Sequence, residues 1–216
     1  MTLQDTTWRL GRVYMGRPTR WVTRARAYGR ERVPATGGLV YAANHMHWLD
    51  IPIVGAMSPR NVSFVAKSEV LGFPGLGRFV GWHGTIAVRR GASDRDAVRL
   101  MRETARNGGV VGLFVEGTRL KLGRPGKAQP GAAMVALQES VPVVPIAIYG
   151  TQFWKVSDFA PCSIAFGEPV RFEGLPKGGR GYKEATAEIE RRINVLFDWL
   201  AELHARGRPA HATPPV

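Results

Sequence analysis

Residues 37–57 read GGLVYAANHMHWLDIPIVGAM, and much of the fold follows from how they divide. The first eight, up to Asn44, are a nearly continuous apolar run that stops at a polar turn. That is the pattern of a strand buried on both faces. Residues 50–57 are apolar again, and Asp50 stands where a helix would open. A buried strand passing through a short polar turn into a helix is the first unit of an α/β sheet. The turn holds two of the chain's five histidines, His45 and His47.

The alternation continues along the chain. Residues 62–67 predict a strand, and GTIAVRR (84–90) predicts a short strand ending in two arginines. The Gly-rich stretch 71–82 reads as an apolar loop, able to cover the core, wall an acyl groove or face lipid. A helix is expected over 93–107, with Ser93 as N-cap, Asp94 and Asp96 in the first turn and Asn107-Gly108-Gly109 as the stop. Its Arg95, Arg99, Arg102 and Arg106 fall on one stripe, read as a solvated face or a face for membrane or substrate. Strands follow at 110–117, 141–150 and 163–170, with a helix at 131–140 between the first two. Residues 182–205 predict a long amphipathic helix with Ile189, Ile193, Leu196, Leu200 and Leu203 on one side. The expected fold class is therefore one α/β domain over 37–206, a mixed, largely buried sheet flanked by helices. Residues 1–36 form a basic N-terminal segment, with short helices over 7–28 broken near Pro18. The tail 207–216 is expected to be disordered.

Composition bounds the function. A chain of 216 residues can bury one sizeable core. No apolar run reaches the ~18 residues of a spanning helix, and the N-terminus lacks the apolar core of a secretory signal. One cysteine, Cys162, excludes an internal disulfide and a cysteine-only metal cage. The expected location is cytoplasmic. A net charge of +13 calls for a nucleic acid, an anionic membrane or an anionic substrate. Residues 1–38 carry eight arginines against Asp5 and Glu31, and Trp8 and Trp21 stand among them. Arginine with tryptophan suits a membrane interface; a solvated helix face is the alternative.

Three readings compete for His45, His47 and Asp50. A catalytic zinc wants about three protein ligands, and His83, His204 and His211 are poorly spaced to supply one. A His–Asp pair is the second. Five residues across a strand-to-helix turn let Asp50 accept a hydrogen bond from one ring nitrogen of His45, leaving the other as a base for a substrate hydroxyl. A capping aspartate and a turn histidine make the third. FVEGTR (114–119) bears on the choice, because it stands where another buried strand ends, the usual place for a ligand in such sheets. There Gly117 permits a tight turn, Arg119 offers a planar fork for phosphate, and Glu116 could orient that arginine or bind an acceptor hydroxyl. Arg90 is a second strand-end cation. Pro142 and Pro145 in VPVVPIAI shape backbone.

NHMHWLD, GTIAVRR, FVEGTR and VPVVPIAI stand in the order and rough spacing of the four blocks of the glycerolipid acyltransferases. Over residues 38–170 the chain resembles that family, most closely the 1-acyl-sn-glycerol-3-phosphate (lysophosphatidic acid) acyltransferases. The resemblance implies a glycerol-3-phosphate acyltransferase-like fold. It implies His45 and Asp50 as catalytic pair, Arg119 and Arg90 as the phosphate clamp, and Glu116, Gly117 and Thr118 as acceptor-site positions. It implies acyl transfer from acyl-CoA or acyl-carrier protein to the hydroxyl of 1-acyl-sn-glycerol 3-phosphate, with glycerol 3-phosphate, another lysophospholipid or a lysolipid as alternative acceptors, and with no metal or other cofactor. The implied protein is peripheral, held on the anionic inner face of the cell membrane by its basic N-terminal segment. His47 replaces a frequent Ser or Thr, Val115 a frequent proline, and Gln129 a frequent lysine that Lys127 could stand in for. Ala87 and Arg89 are mild variants beside Arg90. A nucleic-acid-binding protein, suggested by charge alone, and a lipid-binding module with an inactive site are the readings from other classes.

Overall fold

The computed structural model describes residue 14 and residues 16–67, 86–88, 94–120 and 122–216. Trp8, the loop 71–82, His83, Arg89, Arg90 and Ser93 lie outside the described residues. In chain order the elements are α1 (Arg17–Thr23), β1 (Arg26–Tyr28), β2 (Leu39–Ala43), α2 (Asp50–Met57), β3 (Val62–Lys67), β4 (Ile86–Val88), α3 (Asp94–Arg106), β5 (Val110–Phe114), α4 (Gly131–Glu139), β6 (Val143–Tyr149), β7 (Ser163–Phe166) and α5 (Gly179–Ala205). The strands form one sheet in the order β1-β7-β6-β2-β5-β3-β4. β6, β2, β5, β3 and β4 are parallel, β7 is antiparallel to β6, and β1 is parallel to β7.

Residue alternation in β2 divides the core. Leu39, Tyr41 and Ala43 pack towards Leu49, Ile53, Val54 and Met57 around α2. Val40 and Ala42 pack on the other side, against Ala97, Met101 and Ala105 of α3, the small residues of α4, and Ile189 and Ile193 of α5. All five β2 residues are buried, as expected for a strand covered on both faces. Leu196, Leu200 and Leu203 continue the α5 stripe over Ala147 and Ala165. The stripe residues Arg102 and Arg106 of α3 are both bonded to Glu139 at the end of α4, and Arg99 pairs with Glu103. Arg99, Arg102 and Arg106 thus share two carboxylates while their side chains stay in contact with solvent.

Several element boundaries depart from or refine the sequence expectation. The break expected near Pro18 is a change of helix type: residues 14 and 16 are π-helical, and α1 follows from Arg17, its first turn tolerating the N–H that Pro18 lacks. Residues 26–28 leave the helical pattern and pair with β7, so the sheet begins inside the segment assigned to the N-terminal piece. The tail is packed, not disordered. Arg32 donates to the carbonyls of Pro214 and Val216, Tyr28 OH donates to the carbonyl of Pro209, and Ala212 and Val216 cover the end of the core. The last strand is shorter than expected, with Val170 rejoining the sheet only through an isolated bridge to Val143.

Candidate active site

β2 and β5 lie in parallel register with Ala43 beside Phe114. Two further residues on each chain bring His45 level with Glu116. Three hydrogen bonds hold that level: Val115 N–H to the Ala43 carbonyl (2.9 Å), His45 N–H to Glu116 Oε2 (2.9 Å) and Leu120 N–H to the His45 carbonyl (2.9 Å). Val115 thus supplies an N–H that a proline there would lack. On the other flank, Asn44 replaces a peptide in the ladder. Its side chain accepts from Ile148 N–H at 2.7 Å and donates to the Ile148 carbonyl at 3.0 Å. Asn44 is fully buried and joins the end of β2 to β6.

Asp50 is the first residue of α2 and fully buried. Its Oδ2 accepts from His45 Nδ1 (2.9 Å), Met46 N–H (2.7 Å) and His47 N–H (2.7 Å). A carboxylate oxygen only accepts, so the shared proton is assigned to Nδ1, and Nε2 keeps its lone pair. The ring of His45 stacks on Phe114, centroids 4.1 Å apart, and that ring lies 6.0 Å from Phe64. Hydrogen bond and stack together fix the plane and direction of the imidazole. The N–H groups of Met46 and His47 are committed to Asp50 and are not free to stabilise an oxyanion.

Glu116 bonds to backbone, with Oε2 on His45 N–H and Oε1 3.4 Å from Gly126 N–H. Burial pushes its carboxyl up to about 7, against the pull of the N–H groups it accepts and the charge of His45. Gly117 turns at φ +69°, a conformation that favours glycine, and its N–H reaches the Phe114 carbonyl. Gly117, Thr118 and Arg119 are exposed beyond that turn. Arg119 lies close enough to His47 for its charge to act there. Burial chiefly lowers the His47 pKa, with Arg119 and His45 adding to the effect and Asp50 opposing it. The His47 ring packs 5.5 Å from Trp48 and 5.8 Å from Trp154.

The structure therefore gathers His45, Asp50, Glu116, Gly117, Thr118 and Arg119 at neighbouring strand ends. Arg90 lies outside the described residues. Asn44, Phe114 and Leu120 carry no role in the sequence analysis, yet they set the height, the plane and the fastening of His45. The signal for Asn44 was present: a polar residue at the end of a wholly apolar strand must find partners when buried. Among the described residues, no group of three His, Cys, Asp or Glu side chains is placed to hold a metal.

Residues 24–149, over half of the chain, match the family model described as Acyltransferase. The chain belongs to that family. It is 27% identical to a 1-acyl-sn-glycerol-3-phosphate acyltransferase of Bacillus subtilis, over 82% of this chain and 90% of that protein. It is 32% identical to a chloroplastic 1-acyl-sn-glycerol-3-phosphate acyltransferase of Brassica napus over 57% of this chain, spanning 36% of the plant protein's length. It is 34% identical to a lyso-ornithine lipid O-acyltransferase of Pseudomonas aeruginosa over 51% of this chain and 42% of that protein. Among solved structures, the 1-acyl-sn-glycerophosphate (LPA) acyltransferase of Thermotoga maritima shares the fold. The TM-score is 0.76, with 24% identity, over 94% of this chain and 82% of that one.

Proposed function

We propose that this acyltransferase moves a fatty acyl group from an acyl thioester to the free hydroxyl of 1-acyl-sn-glycerol 3-phosphate, forming phosphatidic acid for phospholipid synthesis. The observation that carries the reading is the His45–Asp50 pair fastened to the loop of Glu116 and Arg119. His45 Nε2 takes the hydroxyl proton, and Asp50 stabilises the imidazolium through Nδ1–H. The alkoxide attacks the thioester carbonyl, and the C–S bond breaks. The thiol leaves as thiolate and receives the proton from His45. Arg119 binds the acceptor phosphate, with Arg90 assigned the same task from sequence. Glu116 fixes the height of His45 through its N–H, and Gly117 and Thr118 border the acceptor. Acyl-CoA or acyl-carrier protein is the donor, and the residues' chemistry calls for no other cofactor.

The acceptor is a membrane lipid, and the surface beside the site suits one. Trp48 and Ile51 flank Asp50 in sequence and are 54% and 43% exposed. Trp48 meets Trp154, Trp154 meets Phe159, and Phe159 meets Trp21, which is 75% exposed. The exposed rings of Trp48 and Trp21, joined through Trp154 and Phe159, with the basic residues around Trp21 in the N-terminal segment, support peripheral attachment to the anionic inner face of the cell membrane. No helix among the described residues is long and apolar enough to cross a bilayer.

The test is thiol release from palmitoyl-CoA and from palmitoyl-carrier protein. It is run with vesicles containing lysophosphatidic acid or lyso-ornithine lipid, for wild type and His45→Ala. Release that needs both lysophosphatidic acid and His45 is expected. Release with lyso-ornithine lipid alone would overturn the acceptor, and release unaffected by His45→Ala would overturn the mechanism.

A further inference from the structure

A second cationic place lies away from His45, between α1, β1 and the far end of α2. There a partly open cavity of about 230 Å³ is lined by Arg20, Arg26, Arg30, Tyr28, Met57 and Ala210, among others. Asp50 opens α2 at the reaction centre and Met57 closes it, so the cavity sits towards the opposite end of that helix. No carboxylate lines it. Among the described residues none of the three arginines has an ion pair, although Arg26 donates to the Arg208 carbonyl. The Arg30 Nε–H is buried and has no hydrogen-bond partner among the described residues. A buried guanidinium donor without an acceptor is unfavourable, and an anionic oxygen would satisfy it. By contrast, Arg99, Arg102 and Arg106 of α3 each have a carboxylate partner in Glu103 or Glu139.

We propose that this cavity is a second phosphate-binding site, separate from the acceptor site, for a phosphate monoester or the phosphate of a lipid headgroup. Planar guanidinium forks suit phosphate oxygens. The apolar floor of Met57, Ala25 and Ala27 suits the carbon side of such a group. The volume is enough to admit a phosphate group. The inference does not depend on the proposed reaction, because Arg20 and Arg30 take no part in it.

The test is calorimetric titration of inorganic phosphate into the full chain. Wild type, Arg119→Ala and the double variant Arg20→Gln/Arg30→Gln are compared. The double variant is expected to bind one phosphate fewer than wild type, whereas Arg119→Ala keeps the phosphate that the double variant loses. Equal stoichiometry in wild type and the double variant would overturn the site. If the double variant fails to fold, Arg20→Gln alone, an exposed change on α1, tests the same cavity through a weaker phosphate affinity of about tenfold. Turnover with a micellar acceptor is expected to stay within about twofold of wild type; a loss matching that of His45→Ala would place these arginines in the reaction centre and overturn the separation. Flotation with phosphatidylcholine vesicles, carrying either phosphatidic acid or phosphatidylglycerol, then distinguishes the source. Flotation stronger with phosphatidic acid than with phosphatidylglycerol at matched charge, the preference being lost in the double variant, identifies a lipid headgroup. Unchanged flotation with the lost phosphate identifies a free ester.

Discussion

Two histidines in this protein are held by a ring nitrogen, in opposite surroundings. His45 at the end of β2 donates through Nδ1 to Asp50, which also accepts two backbone N–H groups. His204, near the end of α5, has Nε2 2.9 Å from Ser163 Oγ, and its ring lies edge-on to Tyr149 at 4.7 Å. Burial, with the Arg208 charge adding to it, lowers its pKa to about 4. One ring has a carboxylate that stabilises a gained proton. The other has a hydroxyl and a nearby cation, which leave it neutral. A buried histidine is kept neutral by its burial unless a carboxylate partner is there to stabilise the proton it gains.

The largest expected effect tests that contrast directly. His45→Ala should cut turnover by ~100-fold or more. His204→Asn should leave turnover within about twofold, because it touches only packing near Ser163. Initial rates of thiol release measure both. Equal losses in the two variants would end the distinction.

Asp50→Asn comes next. It keeps shape but removes the charge that stabilises the imidazolium, so kcat should fall by ~100-fold. It should also lower stability by about 1–3 kcal/mol, since three donors lose a carboxylate acceptor in a fully buried place. Ser163→Ala is the matched change at His204. It removes one neutral hydrogen bond, with about 1 kcal/mol expected in denaturant unfolding and no change in kcat. A stable Asp50→Asn protein with wild-type kcat would reduce Asp50 to a turn residue.

Much of this contrast was legible in sequence, and the unread part has a physical pattern. His45 and Asp50 were readable because strand, turn and helix follow one another within 21 residues, so local geometry alone brings them together. The pairing of β2 with β5 is long-range. Its register decides that Glu116 meets His45 N–H, whereas the sequence reading had it face Arg119 or an acceptor. Asn44 and Phe114 stand within the motifs without a legible role, because their work is done across strands. The sequence-based assignment of β1 to a helix and of the tail to disorder failed together. The tail is held by Arg32 and Tyr28, which a charge count reads only as basic or aromatic. Of the two readings of the α3 arginine stripe, the solvated face fits its exposed side chains, and what the sequence left out is Glu139, far along the chain, which pairs with Arg102 and Arg106.

The smallest effects lie in the pH dependence of stability, where Glu116 and His204 should act in opposite directions. The His204 pKa is lowered from 6.5 to about 4 in the folded protein. Between those values the unfolded chain binds a proton that the native one does not, so this group costs stability as pH falls from 6.5. The Glu116 pKa is raised from 4.5 to about 7. Between those values the native state keeps a proton that the unfolded chain has lost, so this group costs stability as pH rises from 4.5 towards 7. In wild type the two slopes oppose each other where the windows overlap, and single variants separate them. Relative to wild type, the Tm of His204→Asn should rise towards acid and level off above pH 6.5. The Tm of Glu116→Gln relative to wild type should instead rise from pH 4.5 and level off above about 7. Scanning fluorimetry across this range reads both difference curves. Curves sloping the same way would mean that the carboxyl beside His45 N–H is not held protonated by burial. The end of β2 would then be wetter than its packing implies, and His45 would differ from His204 by solvent as much as by partner.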